Sequence, residues 1–201
     1  MNQFLRAAGL PALAFAVLLA YSSMALAQRF DVAVGGGSMF APKASQADSS
    51  HSPVSLSGGA YFSASGDVLL HNQFGVEAEV AWKGSRGIYY PGGFNQHYRP
   101  TFADVNAIWT GKRSKRLVPE LMAGAGVENI RFYAGTGCTF TTCTHFVTSN
   151  HFMVHVGGGL RCQVFHGLFI RPEGHLYLVH NNVEFSSDHA VRYGASLGYT
   201  F

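Results

Sequence analysis

The sequence predicts an all-β fold in which eight antiparallel strands follow one another around a closed barrel. Three observations support it. Hydrophobicity alternates with a period of two residues along most of the chain, glycine makes up 24 of the 201 residues, and the segments between the alternating stretches are alternately long and short. Only 12% of the residues are charged and the formal net charge is +3, which excludes a disordered chain, a coiled coil and a strongly basic nucleic-acid-binding protein.

The N-terminal segment, residues 1–27, has the pattern of a secretory signal peptide. Arg6 precedes an apolar run at residues 7–20, and Ala25-Leu26-Ala27 provides small residues for a cleavage site. The run is shorter than the ~20 residues that a membrane-spanning helix needs. We therefore expect cleavage before Gln28 and a single mature domain at residues 28–201.

The first four predicted strands differ in the strength of their alternation. The third is regular, with Phe74, Val76 and Val80 opposite Glu77 and Glu79. The first, second and fourth are weaker, and the fourth requires a register slip because Phe102 and Val105 are three residues apart. The four segments are residues 29–38, 54–63, 74–83 and 98–110.

The last four strands alternate more clearly, and in the final one every position from Val191 to Phe201 obeys the pattern. Met153 is an apolar exception on the polar face of the sixth strand. Pro172 conflicts with the seventh because proline cannot donate to a β-ladder, so we expect a bulge there. The four segments are residues 120–128, 151–164, 168–178 and 191–201.

The connections predict an up-and-down topology. Short connections are expected at residues 64–71, 111–116 and 165–167, and long ones between the remaining neighbours. Alternation of long and short connections is typical of transmembrane β-barrels, whose long loops are extracellular and whose short turns are periplasmic. An even number of strands places both termini at the end with the short turns.

Which face points outward decides between a membrane barrel and a soluble, lipocalin-like barrel. The polar faces combine glycines with charges of both signs, as a narrow lumen filled by long side chains requires. Trp82, Trp109, Tyr199 and Phe201 lie near strand ends, as interfacial aromatic residues do. We therefore predict a transmembrane barrel whose lumen contains Glu77, Glu79, Glu120, Arg161, Arg171 and Glu173, with Asp31, Arg99, Glu128 and Arg192 nearer its ends.

The final segment, RYGASLGYTF at residues 192–201, resembles the C-terminal strand of the small outer-membrane β-barrel family related to the OmpA and OmpX barrels. The resemblance implies a monomer in the bacterial outer membrane, in contact with lipid and lipopolysaccharide. It also implies that Tyr199 and Phe201 form the signal read by the barrel assembly machinery. It does not identify an activity, because this scaffold serves many functions.

The lumenal charges allow two interpretations. Buried charges must be paired, and we expect cross-strand pairs of Arg161 with Glu120 and with Glu173. An eight-stranded barrel is just wide enough to be filled by side chains, so we predict a closed plug, with a narrow pore for small solutes as the alternative.

Two motifs resemble those of catalytic sites, but their positions in or beside predicted strands do not favour an enzyme. Gly194–Gly198 matches Gly-x-Ser-x-Gly, but no helix can follow it. His180-Asn181-Asn182 resembles the His-x-Ser-Asn pattern of lipid A deacylases, with Asn182 in place of the serine. We expect a non-enzymatic protein without a cofactor, and keep lipid A modification as an alternative.

The 10 histidines do not form an obvious metal motif. His151 and His155 share a face but are separated by ~13 Å along a strand, although His175 on the next strand could approach His155. His145, His180 and His189 lie in or near the loops. We therefore expect no metal site.

The third long loop contains Cys138 and Cys143, for which we predict a disulfide in an oxidising compartment. Cys162 lies on the apolar face of the sixth strand. The long loops also contain many aromatic side chains, as binding surfaces do. We therefore expect a role in envelope integrity or in recognition of an extracellular ligand. The aromatic and isoleucine positions are Ile88, Tyr89, Tyr90, Phe94, Tyr98, Phe132, Tyr133, Phe140 and Phe146.

Overall fold

The structure is a computed structural model that describes residues 29–41, 56–71, 73–89, 96–112, 116–133, 137–138, 143–144, 146–180 and 188–201. The predicted signal peptide at residues 1–27 lies outside these ranges. No helix in the described ranges is long and apolar enough to cross a membrane.

Eight long strands form a closed antiparallel barrel, as the sequence predicts. Each pairs with the next in the chain, and the barrel closes where the first strand pairs with the last, from Asp31 opposite Thr200 to Phe40 opposite Val191. The eight are β1 (Phe30–Phe40), β2 (Ala60–His71), β3 (Phe74–Lys83), β5 (Gln96–Thr110), β6 (Leu117–Tyr133), β9 (Val147–Phe165), β10 (Leu168–Val179) and β11 (His189–Thr200).

Three short strands lie in the long connections. β4 (Gly87–Tyr89) pairs with the beginning of β5, and β7 (Gly137–Cys138) pairs with β8 (Cys143–Thr144) as a separate ribbon. The strand ends that precede and follow the four long connections lie at one end of the barrel, which we call the loop end. The opposite, turn end contains connections such as the tight turn at His166 and Gly167, whose φ values of 33° and 87° are those of a two-residue hairpin turn.

The second strand was predicted in the wrong place. Residues 64–71 belong to β2 and not to a turn, and β3 begins at Phe74, which pairs with His71. Small side chains weaken the alternation in this strand, but Phe62, Val68 and Leu70 face outward while Ser63 and Asp67 are buried inside. The strand therefore keeps a period of two that its low hydrophobicity conceals.

Two expected irregularities are also absent from the described strands. β5 pairs with β3 and β6 without a register slip, because Phe102 points into the barrel and Val105 points out of it. The register of β10 is the same on both sides of Pro172, although Pro172 and Arg171 make no ladder pair with β9. The irregularity in β10 lies instead between Leu168 and Phe169.

The two faces of the barrel wall have opposite chemistry. Outward side chains form an apolar belt in which Val34 is 64% exposed and Phe152 is 58% exposed. Inward rows hold the buried acidic and basic residues. Water-soluble barrels turn their apolar side chains inward and their charged side chains outward. The arrangement here is the reverse, and it is that of a barrel whose outer surface contacts hydrocarbon. The face assignment made from the sequence is therefore confirmed.

Inward-facing glycines allow the backbones of neighbouring strands to pack closely on the inner surface of the barrel. A Cβ placed on Gly126 would lie 2.1 Å from the carbonyl oxygen of Ala103, and one on Gly124 would lie 2.0 Å from that of Val105. No side chain fits at such distances. These glycines are therefore needed for the tight curvature of a narrow barrel.

Candidate functional site

The centre of the lumen contains a network of buried arginines and carboxylates. Arg161 is fully buried and contacts Asp31 and the carboxylate of Asp67, whose Oδ2 is 3.6 Å from Nη2. Its Nε atom lies 2.8 Å from Glu120 Oε1. Its guanidinium also lies over the Phe169 ring, at 3.9 Å from the centroid. One cation therefore holds three carboxylates from three different strands.

Arg171 forms the second centre of the network. Its Nη1 atom donates to Glu77 at 3.2 Å and to Glu120 at 3.1 Å, and its Nε atom donates to Glu173 at 2.8 Å. Because Glu120 contacts both Arg161 and Arg171, the two centres form one continuous cluster. Arg192, which contacts Glu79 and lies 3.7 Å from Glu173 Oε1, extends it toward the loop end.

The six predicted lumenal residues therefore lie together, but their partners differ from the expected ones. The Arg161–Glu120 contact is present, whereas the Arg161–Glu173 pair is not found among the described ion pairs and Glu173 binds Arg171. Arg99, predicted to join the lumen, lies on an outward row and donates to the carbonyl of Gly84 at 2.9 Å. Asp67 was missed because its strand was taken as a turn.

Apolar clusters lie in the lumen on both sides of the charges. Toward the loop end lies a cluster in which Phe102 and Tyr177 stack with centroids 4.9 Å apart. Tyr98, placed in a loop by the sequence analysis, is buried in this layer, and so is Met153, the exception in the sixth strand. A smaller cluster of Leu69, Ile108 and Met122 lies toward the turn end. The loop-end cluster contains Met39, Ala41, Leu56, Tyr61, Ala81, Tyr98, Phe102, Ile130, Met153, Tyr177, Val179 and Ala190.

Two histidines from neighbouring strands meet between the charged network and the loop-end layer. His155 Nε2 and His175 Nδ1 are 2.9 Å apart, and both rings are buried. The approach of His175 to His155 was anticipated. Their acidic neighbours Asp104 and Glu79 were assigned no histidine partner, because the supposed slip in β5 hid the inward row that carries Asp104 and Asn106.

A basic and aromatic patch lies on the outer surface at the loop end. Arg99 and Arg131 are direct cross-strand partners, and with Trp82, Thr101 and Tyr133 they line a cavity of about 220 Å³. Two cation–π contacts continue the patch, from Arg86 to the Tyr133 ring at 3.9 Å and from Arg131 to the Phe146 ring at 4.7 Å. Among the described residues, none of these three arginines forms an ion pair.

The remaining predicted positions lie outside the lumen. The backbone register of the β7–β8 ribbon places Cys138 opposite Cys143, while their side chains lie outside the described part of the chain. Phe201 is 70% exposed at the turn end, where its N–H donates to the Phe30 carbonyl at 2.9 Å and its ring contacts Tyr199.

The two motifs that suggested an enzyme lie in different parts of the barrel. Ser196 Oγ, in the Gly-x-Ser-x-Gly segment, donates to Glu173 at 2.9 Å in the middle of β11. His180 ends the described part of its segment, and residues 181–187 lie outside it. At the other edge of that connection, the His189 ring hydrogen-bonds Asp188 at 2.7 Å and lowers the pKa of the Asp188 carboxyl.

Comparison with known proteins identifies the fold. No family model matches the sequence, and no curated protein matches it either. Among solved structures, it is similar to Ail, the attachment invasion locus protein of Yersinia pestis, with a TM-score of 0.53 and 12% identity over 87% of this chain and 99% of Ail.

Two further structures agree. The N-terminal β-barrel domain of Pseudomonas aeruginosa OprF gives a TM-score of 0.53 and 15% identity over 87% of this chain and 97% of that domain. Neisserial surface protein A gives 0.55 and 11% over the same shares of the two chains. Taken with the closed eight-stranded wall and its apolar exterior, these similarities show that the chain has the fold of the small OmpA/OmpX-like β-barrels of the bacterial outer membrane.

Proposed function

We propose that this protein works in the bacterial outer membrane as a monomeric, non-enzymatic barrel with a closed lumen, and that its loop end carries its interactions. The observation that carries the proposal is the layered filling of the lumen. Charged side chains paired to Arg161 and Arg171 occupy the middle, and apolar clusters lie on both sides. A side-chain-filled interior of this kind is expected of an eight-stranded barrel.

A narrow pore is the competing function, and conductance across a planar lipid bilayer separates the two. Purified barrel should give no resolved single-channel current. The variants Glu120→Gln and Arg161→Met should also remain closed and only lose stability, because the apolar layers stay in place. Stable current steps from the wild type, or from the variants alone, would instead identify the charged network as an ion path or as its gate.

The lipid A-modifying alternative has its own test. The mass of lipid A should be the same in cells that express the wild-type protein and in cells that express His180→Ala. A mass change that requires His180 would contradict the non-enzymatic assignment.

We further propose that the patch of Arg86, Arg99 and Arg131 binds the phosphate groups of lipopolysaccharide. Like charges placed directly opposite each other destabilise a sheet, and Arg99 and Arg131 occupy such a pair. An anion between the two guanidinium groups removes this repulsion. Arginine binds phosphate oxygens in a bidentate manner, and the aromatic neighbours Trp82 and Tyr133 are of the type found at membrane interfaces.

The test measures lipid A bound to the folded barrel in detergent by native mass spectrometry. The double variant Arg99→Gln/Arg131→Gln should retain at most a tenth of the wild-type affinity, as loss of two charge-assisted contacts implies. Arg116→Gln, an exposed arginine at the turn end, is the matched control and should bind normally. Equal binding by all three proteins would contradict the assignment.

A sulfated sugar is the alternative ligand of the same chemistry, since the similar protein Ail was solved in complex with the heparin analogue sucrose octasulfate. The same variants should therefore be titrated with sucrose octasulfate. Binding of sucrose octasulfate without binding of lipid A would indicate that the ligand of this patch is an extracellular sulfated sugar and not a membrane lipid.

A further inference from the structure

The two facing histidines define a site in which the neighbours of His155 orient its ring nitrogens. Asn106 Nδ2 donates to Asp104 Oδ1, which turns Asn106 Oδ1 toward His155 Nδ1 at 2.8 Å. His155 Nδ1 therefore carries the proton, and the lone pair of His155 Nε2 faces His175. Metal-binding histidines are commonly oriented in this way, with one ring N–H donating to a carboxylate or carbonyl oxygen and the other nitrogen left for the metal.

His175 is held in a comparable way from its far side. Its Nε2 atom lies 3.4 Å from Glu173 Oε1, and its Nδ1 atom lies 3.6 Å from Glu79 Oε2. With the Nε2 proton directed to Glu173, the lone pairs of His175 Nδ1 and His155 Nε2 face each other at 2.9 Å. In this tautomer the two lone pairs repel unless a cation lies between or beside them. In the other tautomer His175 Nδ1 donates a hydrogen bond to His155 Nε2, and a metal ion takes the place of that proton.

Glu79 supplies a third donor atom. One of its oxygens contacts Arg192, while Oε2 is buried without a hydrogen-bond partner in the described structure. One ligand atom from each of Glu79, His155 and His175 lies within 4.8 Å of those of the other two. A buried carboxylate oxygen left unpaired is costly, and a cation beside the two imidazoles satisfies it.

The local charge also calls for a cation. Glu79, Asp104 and Glu173 place three carboxylates around the imidazole pair, and Arg192 and Arg171 contact two of them, Glu79 and Glu173. Arg171 is also shared with Glu77 and Glu120, so the buried carboxylates outnumber the arginines that contact them. A divalent ion beside the imidazoles offsets part of this excess of negative charge.

Gly157 leaves room for the ion. A Cβ on Gly157 would lie 3.0 Å from His155 Nε2 and 3.0 Å from His175 Nδ1. Met122 Cγ would lie 2.9 Å from the same Cβ, so a side chain at position 157 would crowd the nitrogen pair, and glycine avoids this. An ion displaced toward Gly157 from the line between the nitrogens can reach both at the ~2.1 Å typical of zinc, provided that the rings tilt slightly.

We propose that Glu79, His155 and His175 bind a divalent transition-metal ion such as Zn²⁺ inside the barrel. Two imidazoles and one carboxylate are a donor set that such ions prefer. The ion ties β3, β9 and β10 together across the lumen just below the loop-end apolar layer. The sequence predicts the approach of His175 to His155 but no metal site, because it does not show that Glu79 of β3 reaches the same pair.

The experiment refolds the mature barrel in detergent with Co²⁺ or Zn²⁺, removes free metal and measures the metal content and the visible absorption of bound Co²⁺. Wild type should retain about one ion per barrel, as expected for a single three-ligand site. His155→Asn and His175→Asn should reduce the bound metal at least tenfold. Gly157→Ala should weaken binding although all three ligands are kept.

His151→Asn is the matched control, because His151 lies on the same inward row of β9 and instead bonds Ser149. It should bind metal as the wild type does. Each variant is first shown to be folded by its shift in migration on SDS gels without boiling. A folded wild type that retains no more Co²⁺ than His155→Asn/His175→Asn would overturn the proposal and leave a proton on the imidazole pair. Equal loss of metal in His151→Asn would overturn the assignment of the ligands.

Discussion

Replacement of Arg161 by methionine should be among the most damaging single changes to this barrel. The side chain is fully buried and contacts Asp31, Asp67 and Glu120. Removing one partner of a buried ion cluster costs about 3–5 kcal/mol because it leaves charge uncompensated. Loss of the cation–π contact with Phe169 adds ~1 kcal/mol. We therefore expect the free energy of unfolding to fall by about 4–6 kcal/mol.

The measurement is equilibrium unfolding in urea in detergent micelles, followed by the fluorescence of Trp82 and Trp109. With a denaturant slope of ~2 kcal/mol per molar, the midpoint should fall by about 2–3 M. Arg116→Met, which removes an exposed arginine at the start of β6, is the control and should change the free energy by less than ~0.5 kcal/mol.

A second substitution tests the physical reason. If uncompensated carboxylates cause the loss, Glu120→Gln in the Arg161→Met background should restore about 1–3 kcal/mol, although Glu120→Gln alone destabilises the wild type. The reasoning would be refuted by a loss below ~1 kcal/mol for Arg161→Met, or by a double variant less stable than Arg161→Met alone.

Three further predictions concern the wall, the loop and the C-terminus. Gly126→Ala should destabilise the barrel by about 1–3 kcal/mol or prevent its folding, whereas Gly174→Ala, whose Cβ would meet no atom within 4 Å, should be tolerated in the same urea assay. Cys138 and Cys143 are backbone register partners in the β7–β8 ribbon, where Cα atoms are ~4.5–5.5 Å apart, within disulfide range. Mass spectrometry of protein purified from the envelope without reductant should therefore show one disulfide peptide, and two alkylated thiols would contradict it. Phe201→Ala should lower the amount of assembled barrel in the outer membrane without lowering refolding in detergent, and equal losses in both would show a structural role only.

The fold was predictable because the two environments of a barrel wall alternate residue by residue. Where the inward side chains are charged and the outward ones apolar, as in β3 and β11, hydrophobicity records the face directly. The rule fails where apolar side chains also line the lumen. Phe102 and Met153 look like errors in the pattern, but they mark the loop-end apolar layer. Such exceptions on otherwise polar rows are the sequence signal for an internal layer.

β2 shows a second limit of the pattern. Its inward positions carry Ser63, Ser65 and Asp67, and its outward positions include Ala64 and Gly66. The difference in hydrophobicity between the two faces is therefore small, and the composition looks like that of a turn. Only the outward Phe62, Val68 and Leu70 indicate the strand. Because the strand is not predicted at residues 64–71, Asp67 is also missing from the predicted set of lumenal residues.

The contacts inside the lumen depend on geometry that no periodicity contains. Arg161 reaches Asp31 across 130 positions in the chain, and Arg171 reaches Glu77 across 94. These partners lie on strands that are not neighbours, so their meeting depends on the width of the barrel and the stagger of its strands. What the sequence does contain is the count of charges on inward rows, where carboxylates outnumber arginines.

That imbalance has a structural consequence. Each of Arg161 and Arg171 is shared among three carboxylates, and Arg192 contacts Glu79 and Glu173 beside His155 and His175. Asp104 has no arginine partner among the described ion pairs and contacts His155 instead, so arginine is also in short supply beside the histidine pair. A lumen filled only to exclude water needs no such excess of acid, since apolar clusters lie on both sides of the charges. The excess is accounted for if the barrel also holds a cation, and the histidine pair is the place where the chain offers nitrogen ligands for one.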